Sequence, residues 1–246
     1  MVKFIIFMSK VISITLVSLL FSSCHTKIDF SNGIDGNGKV EKQTRTVENN
    51  FSKINVSKGL IVEVEQSSSY KVEVEADENL LKHITTRVDN GTLYISSDEN
   101  IDEAKAKTIY VQLPNISGIE TNSGASLTSK NTLKGTSIEV TSSSGSSSTL
   151  DLEFDKISIT SSSGSSLILK GKALELKTSS ASGSTLLANS LIANDVTSDA
   201  ASGSSTNVHP MVNLVAKASS GASVVYDSNP KSVSKTESSG GSVDKE

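Results

Sequence analysis

Asn122-Ser123-Gly124-Ala125-Ser126-Leu127-Thr128 opens a series that returns as Ser143-Ser144-Gly145-Ser146-Ser147-Ser148-Thr149, Ser162-Ser163-Gly164-Ser165-Ser166-Leu167-Ile168 and Ala181-Ser182-Gly183-Ser184-Thr185-Leu186-Leu187. Its glycines continue at Gly203, Gly221 and Gly240, and the seven are separated by 21, 19, 19, 20, 18 and 19 residues. A disordered serine-rich segment has no reason to keep such a period, whereas stacked structural repeats do. Three residues past the glycines stand Leu127, Ser148, Leu167, Leu186, Thr206, Val224 and Val243; five past stand Ser129, Leu150, Leu169, Ala188, Val208, Tyr226 and Lys245. Seven before stand Ser117, Ile138, Ile157, Leu176, Val196, Leu214 and Val233. These mostly apolar columns predict two short strands per repeat, with glycine at a corner that needs positive φ. The expected fold is all-β, a parallel β-solenoid of about 19–20 residues per coil, each coil lying about 4.8 Å above the last.

Upstream of the repeat, period-two alternation marks further strands: Ile54 and Val56, then Val62 and Val64, then Val72 and Val74. Gln66-Ser67-Ser68-Ser69 lies between two Val-Glu-Val-Glu runs, which predicts an antiparallel β-hairpin with valines on one face and Glu63, Glu65, Glu73 and Glu75 on the other. Asp77 to Val88 holds the one stretch with helical spacing, and Asn90-Gly91 turns the chain into Thr92-Leu93-Tyr94-Ile95-Ser96. The expected division is an export signal at 1–23, a flexible tether at 24–40, an N-terminal β region at 41–116 and the solenoid at 117–246.

The chain begins with Lys3, Lys10 and an apolar run from Val11 to Phe21, then Leu20-Phe21-Ser22-Ser23-Cys24. The run is too short to span a bilayer, which takes about 20 residues, and it reads as a cleaved signal. Its ending resembles a lipobox, with Cys24, the single cysteine, as the lipid-attachment residue. Membrane association through Cys24 and an outer-membrane lipoprotein location follow as expectations, with the membrane face left open. Removing Lys3 and Lys10 with the signal moves the formal net charge from −4 to −6, which gives no basic surface for nucleic acid.

Phe51-Ser52-Lys53-Ile54-Asn55-Val56, the Val-Glu-Val-Glu pair, Asn79-Leu80-Leu81, Asn90-Gly91-Thr92-Leu93-Tyr94-Ile95 and the serial Ser-Gly-Ser corners together resemble the putative auto-transporter adhesin, head GIN domain family. Val225-Tyr226-Asp227-Ser228-Asn229-Pro230 is similar to that family's Tyr-x-Gly-x-Pro ending, with Ser228 in the glycine position. The resemblance implies a right-handed β-helix-like fold in an exported protein of Bacteroidetes-type bacteria. It brings no catalytic or ligand residues.

Two surfaces are candidates for function. Four residues past the glycines lie Thr128, Thr149, Ile168, Leu187, Asn207 and Val225, outward by parity yet apolar at three positions. Glu63, Glu65, Glu73 and Glu75 could hold a divalent cation or pair for acid and base work, although a solvated face is the plainer reading. His25, His83 and His209 are scattered, and neither a metal motif nor a nucleophile elbow is present. Ser68-x-x-Lys71 and Ser228-x-x-Lys231 arise by chance in a chain this rich in serine. Asp35-x-Asn37-Gly38 lacks the later ligands of a calcium loop. The expected function is non-enzymatic binding or adhesion to a glycan or surface protein, without cofactor or metal. A carbohydrate-active β-helix enzyme and a structural or assembly role, including a homo-oligomer joined through an open terminal coil, stand as alternatives.

Overall fold

The computed structural model describes residues 33–246; the signal and Cys24 lie outside them. The N-terminal strands are β1 (Val40–Arg45), β2 (Lys53–Val56), β3 (Ile61–Gln66), β4 (Lys71–Asp77), β5 (Ile84–Asp89), β6 (Thr92–Ser97) and β7 (Lys107–Leu113). The repeat supplies β8 (Gly118–Thr121), β9 (Ser126–Ser129), β10 (Leu133–Ser142), β11 (Ser147–Ser161), β12 (Ser166–Ser180), β13 (Thr185–Ala200), β14 (Ser205–Ser219), β15 (Ser223–Tyr226), β16 (Ser232–Ser238) and β17 (Ser242–Lys245). Consecutive coils pair in parallel, so Leu150 lies beside Leu169, and Leu176 beside Val196 and then Leu214. The expected solenoid is the observed one. Its inward columns hold in the middle coils, while Val233 in the last coil is exposed.

Each corner is tighter than glycine alone requires. Ser144 and Gly145 have φ of 53° and 69°, both left-handed, and the Ser146 N–H donates to the Ser143 carbonyl at 3.1 Å. Positive φ at both central residues defines a type I′ turn, and all seven Ser-Gly pairs share that sign. The turns also bond to one another: the Gly145 N–H donates to the Ser163 carbonyl of the next coil at 3.0 Å, and the Gly164 N–H to Ser182 at 3.0 Å. Lys58-Gly59, with φ of 57° and 65°, adds a turn of the same kind below, its Gly59 N–H donating to the Ser123 carbonyl.

Two strands per coil is not what forms in the middle of the stack. β11, β12, β13 and β14 each run unbroken for 15 or 16 residues, bending where the burial alternation skips a beat, as at Asp155-Lys156. The bent part adds a third face that begins at β10, with Leu133 beside Leu152 and Leu152 beside Gly171.

The β3–β4 hairpin is corrected. β7 lies between them, parallel to β3 and antiparallel to β4, so Tyr110 is flanked by Glu63 and Glu73. β7 takes the edge of β3 that a β3–β4 hairpin would have used, with a full six-residue ladder, and the other edge pairs with β9. The hairpin of this region is instead β5–β6, turning at Asn90-Gly91. The helical stretch contracts to one 3-10 turn, Glu78–Leu80, whose buried Leu80 joins the core near the N-terminal edge.

Residues 33–40, placed in the tether, are fastened to the domain. The Gly38 N–H donates to Asp77 at 2.8 Å and the Asn37 N–H to Asn79 at 2.9 Å, while Ile34 bridges to Ile101. Asp77 is fully buried and also accepts from the Ala106 N–H at 3.0 Å. Its burial opposes charge, but the backbone donors Gly38, Ala106 and Lys105 outweigh it and hold its pKa below the ordinary carboxylate value.

Candidate binding face

One flat face collects every strand that follows a corner. Its order is β1, β4, β7, β3, β9, then the first halves of β11 to β14, then β15 and β17. The first four positions are reached by strands far apart in sequence, and the rest by the repeat.

Thr128, Thr149, Ile168, Leu187, Asn207 and Val225 stack in register as one column on the outside of this face. Thr128, Thr149 and Ile168 are exposed, Ile168 at 48%, and Leu187, Asn207 and Val225 are half-buried. The column extends downward through Glu63, Tyr110 and Glu73, so two of the four candidate glutamates share its row, while Glu65 lies in the row of Gln112 and Glu75 in that of Thr108. Beside it runs an unbroken hydroxyl column, Ser126, Ser147, Ser166, Thr185, Ser205, Ser223 and Ser242. On the other side, Lys170 and Asp151 pair at 3.3 Å, as alternating charge on stacked neighbours predicts.

The four glutamates do not converge. Glu63 pairs with Lys130 at 3.1 Å, Glu65 accepts from the Gln112 amide at 2.7 Å, and Glu75 accepts from the Tyr110 hydroxyl at 2.6 Å. Glu73 meets Lys71 at 2.9 Å, and the hydrogen bond from Lys71 holds its pKa below the usual range. Lys42 approaches Glu73 at 3.7 Å and Glu75 at 3.6 Å. Among the described residues no group of three or more His, Cys, Asp or Glu side chains is placed to hold a metal ion. The floor around Tyr110 is instead a shallow depression of about 330 Å³ with lysines and glutamates interleaved. The Tyr110 pKa is pushed up to about 12, first by its bond to Glu75, then by burial and nearby carboxylates.

The other candidates are dispersed. His83 pairs with Asp98 at 2.9 Å and His209 with Asp227 at 2.7 Å, on different coils, and His25 lies outside the described residues. The Ser228 hydroxyl donates to the Pro210 carbonyl. Gln66, read from sequence only as part of a turn, and Asn131, not singled out there, make contacts the sequence does not announce. The Gln66 side-chain amide both donates to the Lys134 carbonyl (3.0 Å) and accepts from the Lys134 N–H (2.6 Å), while Asn131 does the same for the Gln66 backbone at 2.8 and 3.0 Å. Only the pairing of β3 against β9 brings Gln66 near them, so no local pattern announces it.

A parallel solenoid with a long regular outer face and dispersed polar groups places the chain among all-β repeat scaffolds. The chain belongs to the family described as "putative auto-transporter adhesin, head GIN domain", whose model matches residues 50–230. Its fold is shared by a putative adhesin of Bacteroides fragilis NCTC 9343, with a TM-score of 0.81 at 19% identity over 87% of this chain and 100% of that one. A putative lipid binding protein of Parabacteroides distasonis ATCC 8503 gives 0.70 at 20% identity, covering 87% and 99%. A putative adhesin of Parabacteroides merdae ATCC 43184 gives 0.67 at 21% identity, covering 87% and 98%. No curated protein matches the chain.

Proposed function

We propose that this protein is a non-enzymatic adhesion module of the bacterial envelope, held by lipid on Cys24, which binds a glycan or a surface protein along its flat outer face. The observation that carries this reading is the single outward column from Thr128 to Val225, with Ile168 exposed between Thr149 and Leu187 and a continuous hydroxyl column beside it. Stacked coils repeat their contacts about every 4.8 Å, so weak polar contacts add along a partner that follows the stack. Membership of an adhesin-type family and adhesin-named structural relatives support the role.

The test is retention of a polysaccharide panel and of outer-membrane proteins on the immobilised chain, with the eluate analysed for cleavage products. Retention that falls at least tenfold in Ile168→Ser/Leu187→Ser, with the fold intact, is the expected result. Released oligosaccharides would overturn the non-enzymatic reading, and unchanged retention in the variant would move the site off this face. Cys24→Ser is expected to release the protein from the membrane fraction, and continued membrane association would overturn the anchor.

A further inference from the structure

The terminal coil differs from every coil beneath it at two inward positions. Five residues before each repeat glycine lie Ile119, Val140, Ile159, Thr178, Ser198 and Ala216, and three before lie Thr121, Ser142, Ser161, Ser180, Ala200 and Ala218; all are buried. In the last coil the same positions carry Lys235 and Glu237, in register with Ala216 and Ala218.

These two side chains cross the open end of the core. In β17 the Ser242 N–H donates down to Ala222 and the Glu246 N–H to Tyr226, so Val243, of opposite parity, presents its backbone groups to the free edge. Lys235 Nζ donates to the Val243 carbonyl at 2.7 Å, and Glu237 Oε1 accepts from the Val243 N–H at 2.7 Å. Together they supply the donor and acceptor that a further strand would supply. Lys235 also sits 5.0 Å above the Tyr226 ring centroid, and Val243 is buried beneath the pair. The lower edge of the third face is closed on the same principle by the Gln66 amide on Lys134.

We infer that Lys235 and Glu237 form a built-in cap that keeps the C-terminal end of the stack closed to a strand from a second copy of this chain. A sheet edge with free N–H and C=O groups templates pairing, and inward-pointing charges are a device that prevents it. Stacking another coil on β16 would bury both charges and strip them of water, which opposes the stacking. With alanine in their place, the edge would continue the small-residue columns of Ala216 and Ala218 and offer bare backbone groups to a neighbour.

The experiment compares the mass of the exported Cys24→Ser chain with that of Lys235→Ala/Glu237→Ala and Lys235→Met/Glu237→Met in the same background, by light scattering over a concentration series. The methionine pair keeps side-chain cover over Tyr226 while removing both hydrogen-bonding groups. Amide exchange across β12 and β13 verifies the stack below, which depends only on its neighbours and survives a change in the last coil. The expected result is a concentration-independent parent, and variants whose mass rises to two or more chains; Glu237→Gln, which keeps the acceptor, stays at the parent mass. Parent mass in both double variants would overturn the cap. So would end-to-end growth of the parent at the same concentrations.

Discussion

Ser165, one residue past a corner glycine, donates its buried hydroxyl to the Ser142 carbonyl of the preceding coil at 2.8 Å. The same rung recurs from Ser146 to Thr121 at 2.9 Å, from Ser184 to Ser161 at 3.0 Å and from Ser204 to Ser180 at 2.9 Å. At the four corners where serine follows the glycine, it is therefore a stitch between coils. Ser165→Ala is expected to lower stability by about 1 kcal/mol, the net worth of one such bond. Ser165→Val adds bulk to a filled column and is expected to cost more, about 1–3 kcal/mol. Shifts in denaturant midpoint at constant slope would measure both; no loss in either variant would mean the rung is decorative.

Glycine plays two separable roles. At Gly145 the backbone is left-handed but a Cβ would meet open space, so Gly145→Ala is expected to cost only the conformational penalty, about 1 kcal/mol. At Gly171 φ is 120° and a Cβ would lie 2.0 Å from the Leu152 carbonyl oxygen. Gly171→Ala is expected to cost more than about 3 kcal/mol, because backbone strain and a backbone clash coincide. Melting the two variants side by side checks the order, and equal losses would contradict it.

The repeat was legible because each coil closes within 18 to 21 residues, so its register is written in local spacing. The N-terminal region was not. Glu63 and Glu73 stand ten residues apart in sequence, yet Tyr110 of β7 comes between them, a strand whose own pattern says nothing about which neighbour it takes. Lys58-Gly59 forms a corner like the others, but the insertion carrying β4 to β7 hides it from the period. Residues 33–40 look like linker because they hold turn residues without apolar alternation; what fastens them is Asp77, a carboxylate whose partners are backbone groups and leave no sequence signature.

Asp77 makes the N-terminal attachment sensitive to acid. Its folded pKa lies below the ordinary value of about 3.9, so its stabilising effect is complete above that pH and is lost as pH falls through the folded value. Asp77→Asn is expected to lower the melting temperature at pH 7 and to flatten the acid limb below pH 4 relative to the parent. Amide exchange at Gly38 and Ala106, whose N–H groups donate to Asp77, should accelerate in the variant. An acid limb unchanged by the substitution would assign it to other carboxylates.

Tyr110 gives the opposite sign at the alkaline end. Its hydroxyl donates to Glu75 at 2.6 Å and its pKa is pushed up to about 12, against about 10 for a free phenol. A raised folded pKa contributes stability that is fully present below pH 10 and lost as pH rises through about 12. The chain has four tyrosines, so absorbance titration of phenolate should show one group ionising last. Tyr110→Phe should remove that last step, and Glu75→Gln should move it back toward the ordinary range, since the amide carries no charge to oppose the phenolate. A late step that survives Tyr110→Phe would belong to another tyrosine, and would mean that the depression lined by Glu63, Glu65 and Glu73 is not organised around the Tyr110 hydroxyl.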